Sequence, residues 1–180
     1  RLIVRASEGG AAVIGLDTFL SEEGGVTNED KAADRKLSES ITNAGNVVVA
    51  MKTESGGSPE INPLPMFTEG AYAIGFVDLP LDKDGFVRSS QLFLAKPGQD
   101  PQLSFATRVV EGYLASKSTG GSSPSLQLAS AGVARLGDQI LPLRSDLNLQ
   151  LDYRTRSPAF RRISAADILF SSQSDIPPDF

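Results

Sequence analysis

Apolar positions in this chain fall in short runs separated by polar turns. Two runs, residues 11–16 and Val47–Met51, are unbroken by charge and too short for helices, the pattern of strands buried on both faces. Between them, Thr27 or Asn28 is placed to cap a helix running to about Ala44. Ala33, Leu37, Ile41 and Ala44 form its apolar stripe and Gly45 ends it. Strand, helix, strand in this order predicts two parallel strands joined by a right-handed crossover. Ahead of them, residues 1–8 read as the end of a helix stopped by Gly9-Gly10.

After a Gly-, Ser- and Pro-rich loop at 53–65, residues 72–77 and 86–95 suit strands and flank Asp82-Lys83-Asp84-Gly85. Asp-Gly favours a tight reversal because Gly reaches positive φ without a Cβ clash, so a β-hairpin is predicted here. Asp100 with Pro101 marks a helix start, and Leu103, Ala106, Val109, Val110, Tyr113 and Leu114 continue at helical spacing. Residues 116–125, SKSTGGSSPS, read as a surface loop. Short strands are then predicted at Leu126–Ser130, Val133–Leu136, 139–141 and 147–153. In the last, Leu147, Leu149, Leu151 and Tyr153 alternate with polar residues, so one face is buried and one wet. Ser164 caps a short helix at Ala165–Phe170. The expected architecture is α/β: a mixed parallel and antiparallel sheet with helices on its faces, in a single domain over residues 1–180.

At 180 residues the chain can bury a real core, and 40% apolar with 22% charged residues is ordinary for a folded domain. The net charge of −5 is uneven. Residues 1–90 hold 8 Lys/Arg against 14 Asp/Glu, whereas residues 91–180 hold 9 against 8. No basic excess marks a nucleic-acid binder, so no nucleic-acid partner is expected. The chain has no Cys and no His, which excludes disulfides, thiolate chemistry, Ser-His-Asp catalysis and imidazole-bound zinc. The longest apolar run, Val47–Met51, is far below the roughly 20 residues of a membrane helix. No basic n-region or apolar h-region is visible from Arg1 onward, so no signal peptide is expected within these residues. A start at Arg1 rather than Met is expected of an excised fragment.

Few residues point to chemistry. Asp17 follows the first strand, where open α/β sheets place a ligand crevice, but Phe19 stands where a DxD phosphotransfer motif needs its second Asp. The competing role is to serve the following turn. Asp78, Asp82 and Asp84 cluster near the predicted hairpin. Asp82-Lys83-Asp84-Gly85 imitates a calcium loop, yet Leu94 is nearest the position of its bidentate Glu, so turn chemistry is favoured and no metal is expected. Arg154, Arg156, Arg161 and Arg162 form a basic cluster able to bind an anionic ligand or membrane headgroups, the competing reading being a solvated loop beside an acidic surface. Tyr113 and Tyr153 read as core or rim aromatics. Gly-Gly at 9–10, 24–25, 56–57 and 120–121 lacks phosphate-loop spacing. No catalytic constellation and no cofactor are expected.

The motifs AAVIGLDTFLSE (11–22), DRKLSESITNAGNVVVA (34–50), PLPMF (63–67), AIGFVDLPLDKDGFVRSSQLFL (73–94), LSFATRVVE (103–111), LQLDYRTR (149–156) and ISAADIL (163–169) occur in one order across nearly the whole chain. In that order they resemble the type-2 CHASE domain, the cyclase/histidine kinase-associated sensory extracellular domain. The resemblance implies an extracytoplasmic sensor outside the cell membrane, joined through membrane helices to a kinase or cyclase output. It also implies an unknown small-molecule signal, a possible homodimer, and a membrane-anchored parent of which this chain is the middle of one domain, truncated at both ends. It matches Asp17 to the Asp after the first strand, and Asp84, Gly85 and Arg88 to the turn. Asp17, Asp84 and Arg88 are therefore candidate ligand-binding residues, and fold determinants first. The competing reading is a metal- and carboxylate-dependent α/β hydrolase or phosphatase using Asp17. A third is a structural or dimerisation module with an apolar patch on the 103–114 helix or an edge strand.

Overall fold

The computed structural model describes residues 1–54, 57–118, 124–130, 132–153 and 162–170. Helix α1 (Leu2–Glu8) ends at Gly9, and Gly10 takes a φ of +83°. Strand β1 (Ile14–Leu16) follows, then α2 (Asn28–Ala44). Thr27 and Asp30 form a reciprocal capping box: Thr27 Oγ1 accepts the Asp30 N–H and the Asp30 carboxylate accepts the Thr27 N–H, both at 3.1 Å. Gly45 closes the helix at φ +67°, its N–H donating to Ile41 O.

Strand β2 (Val47–Met51) is buried along its whole length, as its apolar run predicts. It pairs in parallel with β1 on one side and with β3 (Ala73–Phe76) on the other, so it is the centre of a three-stranded sheet ordered β1-β2-β3. Strand β1 is only half-buried, contrary to the expectation from 11–16, because it is an edge strand. A short helix for which the sequence suggested no element, α3 (Pro65–Thr68), follows the 53–65 loop and begins with Pro at its first turn.

Alternation in β2 divides the core into two layers. Val47 and Val49 pack with Ile3 of α1, Ile41 of α2 and Phe67 of α3, with Leu16, Leu37 and Ala44 against them. Ala33 lies exposed beyond the stripe. The opposite face receives α4 (Phe105–Lys117), which packs on β1, β2 and β3. Close approach there depends on Gly75 and Gly15, where an added Cβ would meet Phe105.

The predicted hairpin is corrected by the pairing. The turn forms, with Gly85 at φ +81°, the Gly85 N–H donating to Asp82 O and the Asp82 N–H to Phe86 O. Its two arms do not pair with each other. One edge of β3 is taken by β2, and Pro80, which has no N–H, interrupts the arm leading away. Residues 86–95 instead give β4 (Ser89–Gln91) and β5 (Phe93–Leu94). Strand β5 pairs antiparallel with β6 (Gln102–Leu103), which leads through Ser104 to a parallel bridge with Phe76. The helix start expected at Asp100 accordingly moves to Ser104, whose Oγ accepts the Thr107 N–H and whose own N–H donates to Leu92 O. Strand pairing of 102–103 overrides the Asp-Pro signal.

Strands β7 (Leu126–Ser130), β8 (Val133–Leu136) and β9 (Gln139–Pro142) form an antiparallel meander. Strand β10 (Asn148–Gln150) pairs antiparallel with β4. It is shorter than 147–153 because Leu147 takes a φ of +62°, and Leu147 and Tyr153 are exposed rather than buried. Helix α5 (Ala165–Phe170), with Ser164 Oγ accepting the Ala166 N–H, packs on α1. The fold is a single α/β domain whose parallel and antiparallel pairings lie in separate small sheets. The middle of the 116–125 loop lies outside the described residues.

Candidate functional site

The turn at 82–86 is held by one cation. Arg88 Nη1 donates to Asp82 Oδ2 and to Asp84 Oδ1, each at 2.8 Å, and its guanidinium lies 5.0 Å from the centroid of the Phe86 ring. Hydrogen bonding to Asp84, then to Asp82, holds Arg88 above its ordinary pKa. Arg88 and the Phe86 N–H together hold the Asp84 carboxyl below the ordinary carboxylate value. All three charged side chains are partly exposed. The arrangement closes a surface turn with its charges mutually satisfied.

Asp17 stands exposed just after β1. No hydrogen bond or ion pair joins it to Asp84 or Arg88, which belong together on the turn. At the ends of the two neighbouring strands the Asp78 carboxylate accepts the Thr53 N–H at 2.7 Å, pinning the chain after β3 to the chain after β2. No group of three or more Asp or Glu able to hold a metal occurs among the described residues, so the carboxylate-and-metal hydrolase finds no cluster around Asp17. Tyr153 is a rim aromatic whose hydroxyl donates to Val87 O, and Tyr113 lies half-exposed under Lys117 Nζ. Of the basic cluster, Arg154, Arg156 and Arg161 lie outside the described residues; Arg162 is exposed.

Two features escaped the sequence reading. The first is a cleft of about 640 Å³ between α1 and α2, floored by Ile3, Leu16 and Leu37 and rimmed by Arg1, Lys36, Glu8 and Glu39 among others. The signal available for it was the apolar start of the α1 segment, Leu2-Ile3-Val4, whose partner only the fold supplies. The second is Glu111, a buried carboxylate on α4. Its Oε1 accepts the Leu126 N–H at 2.9 Å and its Oε2 accepts from Arg108 Nη1 at 3.1 Å. It ties the meander to the α/β core.

Acid should loosen two of these contacts. Asp30, through its hydrogen bonds with Thr27, and Asp84, through Arg88, both sit below their ordinary pKa of 3.8. A carboxyl depressed by folding stabilises the native state above the unfolded value, and this contribution is lost as pH falls through the lower folded value. Urea midpoints followed from neutral pH downward should decline below about pH 4, the unfolded carboxylate range. The decline should be shallower in an Asp30→Asn, Asp84→Asn double variant.

Among known families, the CHASE2 domain model matches residues 1–180, the whole chain. No curated protein and no solved structure matches.

Proposed function

The chain belongs to the CHASE2 domain family, and from that premise we propose that it is the ligand-recognising part of a membrane-bound signalling receptor. CHASE2 domains are extracellular sensory modules of signalling receptors and are not catalytic. In the proposed reading this chain lies on the extracytoplasmic face, in a parent protein anchored by membrane helices and ending in a histidine kinase, nucleotide cyclase or Ser/Thr kinase output. No helix among the described residues is long and apolar enough to cross a membrane, so anchoring is assigned to flanking sequence.

The observation that carries this reading is the packing of α1 on α5. These helices hold seven and six residues, about 10 Å each at 1.5 Å per residue. The start of α1 and the end of α5 therefore lie near each other, as a module between two membrane anchors requires. A ligand that favours one placement of α1 over another then has a route to both flanks. Signalling needs such differential affinity, since a ligand indifferent to two states shifts neither.

A small-molecule signal and a homodimer belong to the same proposal. Asp17, Asp84 and Arg88 enter it as ligand contacts only on one condition. An anion reaching Arg88 would have to replace Asp82 and Asp84, at the cost of the turn.

Topology tests the reading. The chain has no Cys, and Val26 is 91% exposed, so Val26→Cys in the parent protein provides one labelling site in this domain. With the unsubstituted parent as control, a membrane-impermeant maleimide should label the variant in intact cells. Labelling only after lysis would overturn the extracytoplasmic placement.

A further inference from the structure

The α1–α2 cleft combines an apolar floor with rim charges of both signs. We propose that it binds a small amphipathic zwitterion: an apolar body carrying one carboxylate and one amine, in the size class of a hydrophobic amino acid or dipeptide. The proposal rests on the sensory reading above and gives it a ligand class.

Volume sets the scale. About 640 Å³ lies within the roughly 300–1,000 Å³ of small-molecule sites, and Ile3, Leu16 and Leu37 supply an apolar surface for the body of the ligand. Charge sets the class. Of the 8 Lys/Arg in residues 1–90, three (Arg1, Arg5 and Lys36) line this cleft, in the half of the chain where acids outnumber bases. Glu8 and Glu39 stand with them. Lys36 and Glu39 lie at i and i+3 on α2, a spacing at which opposite charges pair, yet no ion pair joins them. One wall thus offers a cation and a carboxylate held apart, each open to a group of opposite sign.

This pattern separates the ligand classes. A simple anion would gain Lys36 and meet Glu8 and Glu39. A simple amine would gain the carboxylates and meet Lys36 and Arg1. A hydrocarbon would desolvate the rim charges with nothing in return. Only a molecule bearing both charges is complementary to the whole rim. Since α1 forms one wall and also packs on α5, a ligand bridging α1 and α2 fixes the helix on which the last described helix rests.

The test is titration of the full chain, labelled with ¹⁵N, with dileucine, with N-acetyl-dileucine (amine blocked) and with dileucine amide (carboxylate blocked). Dileucine should shift the amide signals of Ile3, Leu37 and Ser40. Each blocked form should bind about tenfold more weakly, the loss expected for one charge-assisted hydrogen bond. Lys36→Gln should weaken dileucine to the level of the amide, and Glu39→Gln to the level of the acetylated form. Both are surface substitutions, and unchanged spectra away from the cleft verify the fold. Equal binding of all three compounds overturns the class, as does preference for a blocked form. Shifts confined to other surfaces, or none up to about 10 mM, where only the weakest small-ligand complexes remain unformed, overturn the site. Those results leave the topology test of the sensory reading standing, so the two can fail separately.

Discussion

Gly75→Val is expected to destabilise the protein by about 3 kcal/mol or more, the upper range for overpacking, and so to lower Tm by roughly 6–12 °C in a chain of this size. Gly75 lies on β3 beneath the start of α4. A Cβ there would stand 2.5 Å from Phe105 Cα, 2.6 Å from Phe105 N and 2.9 Å from Ser104 C. All three are backbone atoms, so no rotamer change relieves the clash. Moving α4 would also disturb Ser104, whose N–H is bound to Leu92 O and which bridges to Phe76. Two glycine variants calibrate the result. At Gly15 the nearest atom is Phe105 Cζ at 2.9 Å, the end of a ring that can turn, so Gly15→Ala should cost less. At Gly57 nothing lies within 4 Å, and Gly57→Ala carries only the strain of φ +82°, about 1 kcal/mol. Thermal melts that rank Gly75→Val no worse than Gly57→Ala would refute the close approach of α4 to the sheet.

Glu111→Ala should follow, costing about 2–3 kcal/mol. Removing a partner from a buried charged pair costs about 3–5 kcal/mol, and the value is reduced here because the Arg108 side chain is 34% exposed. The substitution leaves the Leu126 N–H without its acceptor and Arg108 without its carboxylate. Arg108 Nε is already buried and unbonded, so the guanidinium has little reserve. The loss should be local: faster hydrogen exchange at Leu126 and through β7–β9, with β2 still protected. Glu111→Gln retains an oxygen for Leu126 and should cost clearly less. Equal losses in both variants would assign the effect to the lost charge opposite Arg108 instead of the Leu126 hydrogen bond.

Legibility tracked the range of the interaction. Helix α2 was readable because its determinants are local: Thr27 and Asp30 three residues apart, Gly45 at its end, Ile41 on the stripe. Strand β2 was readable because five consecutive apolar residues suit a central strand. Partner choice was not readable. The turn at Asp84-Gly85 was recognised, yet the residues beyond it pair with β10 and β6, decided by segments far along the chain. The same distant pairing moved the start of α4 from Asp100 to Ser104. At the candidate site, Asp84 and Arg88 meet at i and i+4, a local relation, and Asp17 was placed correctly at a strand end. The cleft needs α1 laid beside α2, and no spacing within either segment encodes that.

The turn at 82–86 closes without a ladder behind it. In a true hairpin, loop length fixes the register of both arms, so one added residue turns every side chain to the other face. Here β3 takes its register from β2, and β4 takes its register from β10. Insertions or deletions between Val77 and Val87 therefore leave both registers untouched, and this is where relatives of the chain have room to differ in length.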